Sequence, residues 1–96
     1  MKPNTDNSEF YERLKKQLEE DTIWPSHYLF KFIIPADLEK IAEINAIFDG
    51  TDAEITTRDS SKGTYSSVSI KVLMLSPDAV IEKYLEVSEV KGVISL

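Results

Sequence analysis

The chain has 96 residues, a formal net charge of −6, no cysteine and 42% apolar residues. That length bounds it to one small domain with one modest core, and the missing cysteines exclude disulfides, thiolate metal sites and thiol nucleophiles. The acidic balance argues against nonspecific binding to nucleic acid or anionic membranes, which draw their affinity from clustered cations, though it describes an average and leaves room for one positive face.

Residues 1–6 are polar and are expected to fray. The N-terminus lacks the apolar core of a secretion signal and no run is apolar enough to span a bilayer, so a cytoplasmic protein is expected. A first helix is predicted from near Asp6–Ser8 to about Glu20, with Asp6, Asn7 or Ser8 as cap and Glu9 at the positive end of its dipole. Phe10, Tyr11, Leu14 and Leu18 fall on one stripe, so this helix must dock on something. The stripe lacks the surrounding lysines and arginines of a membrane-surface helix. The expected division is a tail and amphipathic helix over residues 1–22, then a domain over residues 23–96.

Trp24-Pro25-Ser26 reads as a turn into a strand from His27 to Ile34. Tyr28, Phe30, Phe32 and Ile34 point one way, and Leu29, Lys31 and Ile33 the other, which predicts a central strand at least partly covered on both faces. Pro35 stops the strand and Asp37 opens a helix whose buried side is expected to be Leu38, Ile41, Ile44, Ile47 and Phe48, closed by Asp49-Gly50. Ala53 to Asp59 reads as a weak edge strand, with Ile55 inward and Glu54, Thr56 and Arg58 outward. Ser60-Ser61-Lys62-Gly63 forms the next turn, with glycine where a positive φ or a close backbone approach is needed. From Thr64 to Leu75 the residues alternate: Val68, Ile70, Val72 and Met74 face one side, and Ser67, Ser69, Lys71 and Leu73 the other. Ser76-Pro77-Asp78 combines a capping hydroxyl, a proline at the first helical position and an acid, a specific helix start. Val80, Ile81, Tyr84 and Val87 line that helix, Gly92 breaks it, and Val93 to Leu96 is a short last strand.

The order is a helix followed by βαββαβ. It predicts an α+β, ferredoxin-like sandwich, with a four-stranded antiparallel sheet in the order 4-1-3-2 and two helices on one face. The extra N-terminal helix is left to cover an edge or the open face of the sheet.

Arg58, Ser60, Ser61, Lys62 and Gly63 combine hydroxyls, exposed backbone N–H groups and two cations, which suits a carboxylate or phosphate. Tyr65 adds a flat contact, and Ser67 follows on the outward face. The same composition also serves an ordinary solvated turn. Lys31, Arg58, Tyr65 and Lys71 are expected on the outward side of the sheet. An RNA-recognition signature that begins with Lys-Gly would set aromatics at its third and fifth positions, but Thr64 and Ser66 stand there and the tyrosine falls between them. His27 is the only histidine, and no HxH, HxxxH or HExxH spacing exists, so neither a metal site nor a catalytic residue is assigned and no cofactor is expected. An acylphosphatase-like activity would need a phosphate-cradling loop after strand one, where Ile34-Pro35-Ala36-Asp37 stands instead.

The run Ser60-Ser61-Lys62-Gly63-Thr64-Tyr65-Ser66-Ser67-Val68-Ser69-Ile70, between a weak strand and a helix with a short terminal strand, resembles the YbeD-like family of small bacterial proteins of unknown function. The resemblance extends from about Leu14 to Leu96. It implies an ACT-like version of the ferredoxin-like plan, a regulatory role with a small-molecule or protein partner, pairing through sheets, and a link to lipoate metabolism. It implies no catalytic residue. ACT-type sensors usually carry a glycine in the loop after strand one, and Pro35 departs from that pattern. The expected function is therefore a non-catalytic regulatory or adaptor domain that binds a partner protein or a small anionic metabolite. The alternatives are a plain homodimerising module and, ranked below it, a small enzyme or an RNA binder.

Overall fold

The computed structural model describes residues 4–95. In chain order its elements are α1 (Asn4–Asp21), β1 (Ser26–Pro35), α2 (Leu38–Ile47), β2 (Glu54–Asp59), β3 (Tyr65–Met74), α3 (Pro77–Val87) and β4 (Ile94–Ser95). The frayed tail predicted over residues 1–6 lies outside the described residues for 1–3, as do the capping side chains of Asp6, Asn7 and Ser8 and the strand residue Leu96. The helix begins at Asn4, ahead of the predicted start, because no glycine or proline interrupts residues 4–21.

The strands form one antiparallel sheet in the order β2-β3-β1-β4, the predicted order read from the other edge. β3 keeps its predicted alternation: Val68, Ile70, Val72 and Met74 are buried with Ser66, while Ser67, Ser69, Lys71 and Leu73 face away. Opposite them on β1, Phe30, Phe32 and Ile34 are fully buried. Ile44 and Phe48 from the α2 segment, and Val80, Tyr84, Val87 and Val90 from α3 and its exit, close this core. The helix starts follow the sequence. Asp37 Oδ1 accepts from Glu39 N–H at 2.9 Å, and Ser76 Oγ accepts from Ala79 N–H at 3.2 Å.

Three expectations are corrected. First, α1 covers neither an edge nor the open face. Tyr11, Leu14 and Leu18 pack against the same core as the other helices, with the Tyr11 ring stacked on Tyr84 at 6.3 Å. Lys15 Nζ lies 2.9 Å from Asp78 Oδ1 at the start of α3, and that hydrogen bond, with the charge attraction, holds the ammonium pKa above its ordinary value. Trp24 Nε1 donates to Leu18 O at 3.0 Å, fixing how the chain leaves α1. The aromatic groups at the α3 side of the core offer more apolar area than a face that alternates with serines and lysines.

Second, β1 is not covered on both faces. Leu29 is half exposed on the outer side, so its apolar neighbours there report an open surface and not a second layer. Third, two residues expected in buried stripes are exposed. Leu38 sits at the first turn of α2, where the helix has not yet met the sheet, and Phe10 lies at the rim of α1 with its ring edge-on to Tyr11.

Candidate functional site on the open sheet face

With all three helices on one side, no described element covers the opposite face of the sheet, and the pairing register orders its side chains in rows. Arg58, Ser67, Ile33 and Ile94 are successive cross-strand neighbours. Thr56, Ser69 and Lys31 form the next row, then Glu54, Lys71 and Leu29, then Leu73 and His27. Tyr65, two residues before Ser67, stands at the hairpin end of the same face. Leu29, Tyr65, Leu73 and Ile94 are all exposed here. Among the described residues of the strands, Arg58, Lys31 and Lys71 share this face with one carboxylate, Glu54, in a chain whose net charge is −6. The helices therefore carry the acidic excess and the sheet carries a cationic, partly apolar surface.

The seven residues singled out in the sequence divide into two groups. Arg58, Ser60, Tyr65 and Ser67 come together with Ile33, Asp59 and Ser66 around a shallow hollow of about 180 Å³. Ser61, Lys62 and Gly63 stand apart, exposed at the turn. Ser60 closes the hairpin: its N–H donates to Tyr65 O at 2.8 Å, its O accepts from Gly63 N–H at 2.9 Å, and its Oγ accepts from Tyr65 N–H at 3.3 Å. Ser66 Oγ donates to Asp59 Oδ1 at 2.8 Å, so that carboxylate is held on the inner side. Gly63 has φ +72, and a Cβ there would meet nothing within 4 Å. Its backbone conformation requires glycine, and close packing does not.

A second concavity, of about 620 Å³, lies at the other end of the face, lined by His27, Gly50, Thr51, Asp52, Glu54, Lys71, Val72 and Leu73. It brings the lone histidine beside two carboxylates and a lysine. Sequence reading missed this grouping because the α2–β2 loop reaches the start of β1 only through the sheet order. The one available signal was the edge character of β2. Among the described residues, no hydrogen bond ties the His27 ring to Asp52 or Glu54, and no group of three or more His, Asp or Glu side chains is set to hold a metal ion.

The loop after β1 is closed by the chain itself. Ala36 N–H donates to Thr64 O at 3.0 Å, and Pro35 packs so near Gly92 that a Cβ on that glycine would lie 3.0 Å from Pro35 Cγ. No helix of the described residues is long and apolar enough to cross a membrane.

No curated protein and no solved structure matches the chain. Residues 19–96, the last turn of α1 and all that follows it, match the family described as Protein of unknown function (DUF493), and the chain belongs to that family.

Proposed function

We propose that this protein is a non-catalytic regulatory or adaptor domain that docks a partner protein on its open sheet face, with the β2–β3 hairpin at one end of the contact. One observation carries the reading: Leu29, Tyr65, Leu73 and Ile94 are exposed on a single face among Lys31, Arg58 and Lys71. Apolar anchors ringed by charge of one sign are the usual composition of a protein-binding surface, and the sign selects an acidic partner. A small anionic metabolite is the lesser form of the same reading. The hollow beside Arg58 and Tyr65 is about 180 Å³, below the roughly 300 Å³ at which ligand pockets begin. Stacking two copies face to face is disfavoured, since it would oppose the three cations of each. The ferredoxin-like, ACT-like plan and the YbeD-like resemblance support a regulatory role in the cytoplasm, with lipoate metabolism as the nearest pathway.

The test is affinity purification from a native lysate with the full chain and with Lys62→Ala, Tyr65→Ala and Lys31→Glu/Lys71→Glu variants. Loss of one acidic partner from the variants, with circular dichroism unchanged, supports the reading. Equal recovery by all of them discards this face. The concavity at His27 supports the rival enzyme reading, which predicts turnover that His27→Ala abolishes.

A further inference from the structure

Backbone N–H and C=O groups of a sheet lie in its plane and point toward neighbouring strands, so the open face offers a partner side chains and no backbone. An extended segment laid flat on that face would leave its own N–H and C=O groups against the exposed side chains of Leu29 and Leu73, with nothing to pair with. An α-helix satisfies those groups internally and meets the face with side chains alone. The form of the partner segment follows from this difference.

The order of side chains along β1 sets what such a helix must carry. Ile33, Lys31 and Leu29 follow one another on the open face at alternate positions of the strand, which spaces them over about 13 Å. Positions i, i+4 and i+8 of a helix span about 12 Å and fall within the width of one amphipathic stripe. One stripe of a helix lying along β1 therefore meets all three. Ile33 is partly exposed and Leu29 half exposed, and the ammonium of Lys31 stands between them. Among the described residues neither Lys31 nor Lys71 forms an ion pair. We propose that the partner segment is an acidic amphipathic helix of about 14 residues, with apolar residues at i and i+8 on Ile33 and Leu29 and a carboxylate at i+4 on Lys31. Leu73, across from His27 and one row beyond Leu29, extends the apolar contact, and Lys71, beside Leu29, takes a second carboxylate on the flank of the helix. A carboxylate in the middle of an apolar stripe is costly on any face that lacks a matching cation, so the pattern selects this face over others. The inference rests on the docking role proposed above and adds the form and charge pattern of what the face takes.

The experiment is selection against the full chain from a displayed library of random peptides of about 18 residues, long enough to cover the face as a helix. Enriched sequences are then synthesised and titrated against the native chain. They are expected to carry apolar residues at i and i+8 with Asp or Glu at i+4, and to gain helical circular dichroism on binding. Lys31→Glu, with the circular dichroism of the free chain unchanged, weakens them by roughly tenfold or more. A second selection against that variant returns Lys or Arg at i+4. Peptides that lose affinity for Lys31→Glu but bind in extended form, with acidic and apolar residues alternating, leave the docking face standing and overturn the helix. Peptides indifferent to both Lys31→Glu and Lys71→Glu overturn the helix and the face together. A library that yields no binder overturns the helix, and the purification from lysate then judges the face by itself.

Discussion

The hydroxyls of Tyr28 and Tyr84 meet at 2.9 Å, joining the middle of the sheet to α3 at the point where α1 lies down. Tyr84 is 7% exposed, and its ring touches Tyr11, Phe30 and Phe32 as well as Tyr28. One side chain therefore connects three elements, and the hydrogen bond lets a polar group sit among them without a desolvation penalty. Replacing Tyr84 with Phe is expected to lower unfolding stability by about 1 kcal/mol, the net value of one such bond. Tyr84→Ala is expected to cost about 3 kcal/mol or more, because it also empties the cluster. Urea unfolding of the two variants separates the hydroxyl from the ring.

The same contact sets an alkaline limit. Burial, and then the hydrogen bond to Tyr28, raise the Tyr84 phenol well above its ordinary pKa of 10.0. The folded chain thus holds a proton that the unfolded chain releases. The stabilisation is whole below pH 10.0 and declines as pH rises toward the folded value. Thermal unfolding between neutral and strongly alkaline pH should show that decline, and Tyr84→Phe should make it shallower. An unchanged alkaline slope in the variant would assign the effect to other groups.

The docking of α1 predicts that residues outside the sheet support it. Leu14 and Leu18 are half-buried against the core, so each truncation to alanine is expected to cost about 1–2 kcal/mol in chemical denaturation. Trp24→Phe keeps most of the apolar area and loses the bond to Leu18 O, for about 1 kcal/mol. Gln17→Ala, at an exposed position of the same helix, should leave stability unchanged.

Two glycines with positive φ are expected to respond differently to substitution. At Gly63 a Cβ has open space, so Gly63→Ala meets only the conformational penalty of about 1–2 kcal/mol. At Gly92 the same penalty is joined by a contact of 3.0 Å with Pro35 Cγ, at the loop that ends β1. Gly92→Ala should therefore be the more destabilising of the two, and comparison of their unfolding midpoints checks it.

Much of this architecture is legible in single residues. The alternation from Ser66 to Met74 identifies β3 and its buried side, because successive strand residues must face opposite ways. Asp37 and Ser76-Pro77 mark helix starts through local backbone chemistry, which acts the same whatever surrounds it, whereas α3 stops at Val87 with Ser88 as its cap, four residues short of the expected break at Gly92. The hairpin residues Arg58, Ser60, Tyr65 and Ser67 were also within reach, since their neighbourhood is set by one short turn. Leu29 and Leu38 were misread because an apolar side chain records a preference for burial without naming a partner.

Local pattern alone determined the elements and the face of β3 that is buried, since each depends on bonds and contacts between near neighbours in the chain, and the general rules for crossover connections supplied their order across the sheet. Three things were left to the tertiary structure: α1 settling beside α3, no described element covering the outward side on which Arg58, Lys31 and Lys71 were expected, and His27 coming beside Glu54 and Asp52. Each depends on surfaces distant in sequence competing for the same apolar area. The core around Tyr84 offered α1 more of that area than a sheet face alternating with serines and lysines, and its choice left the face open.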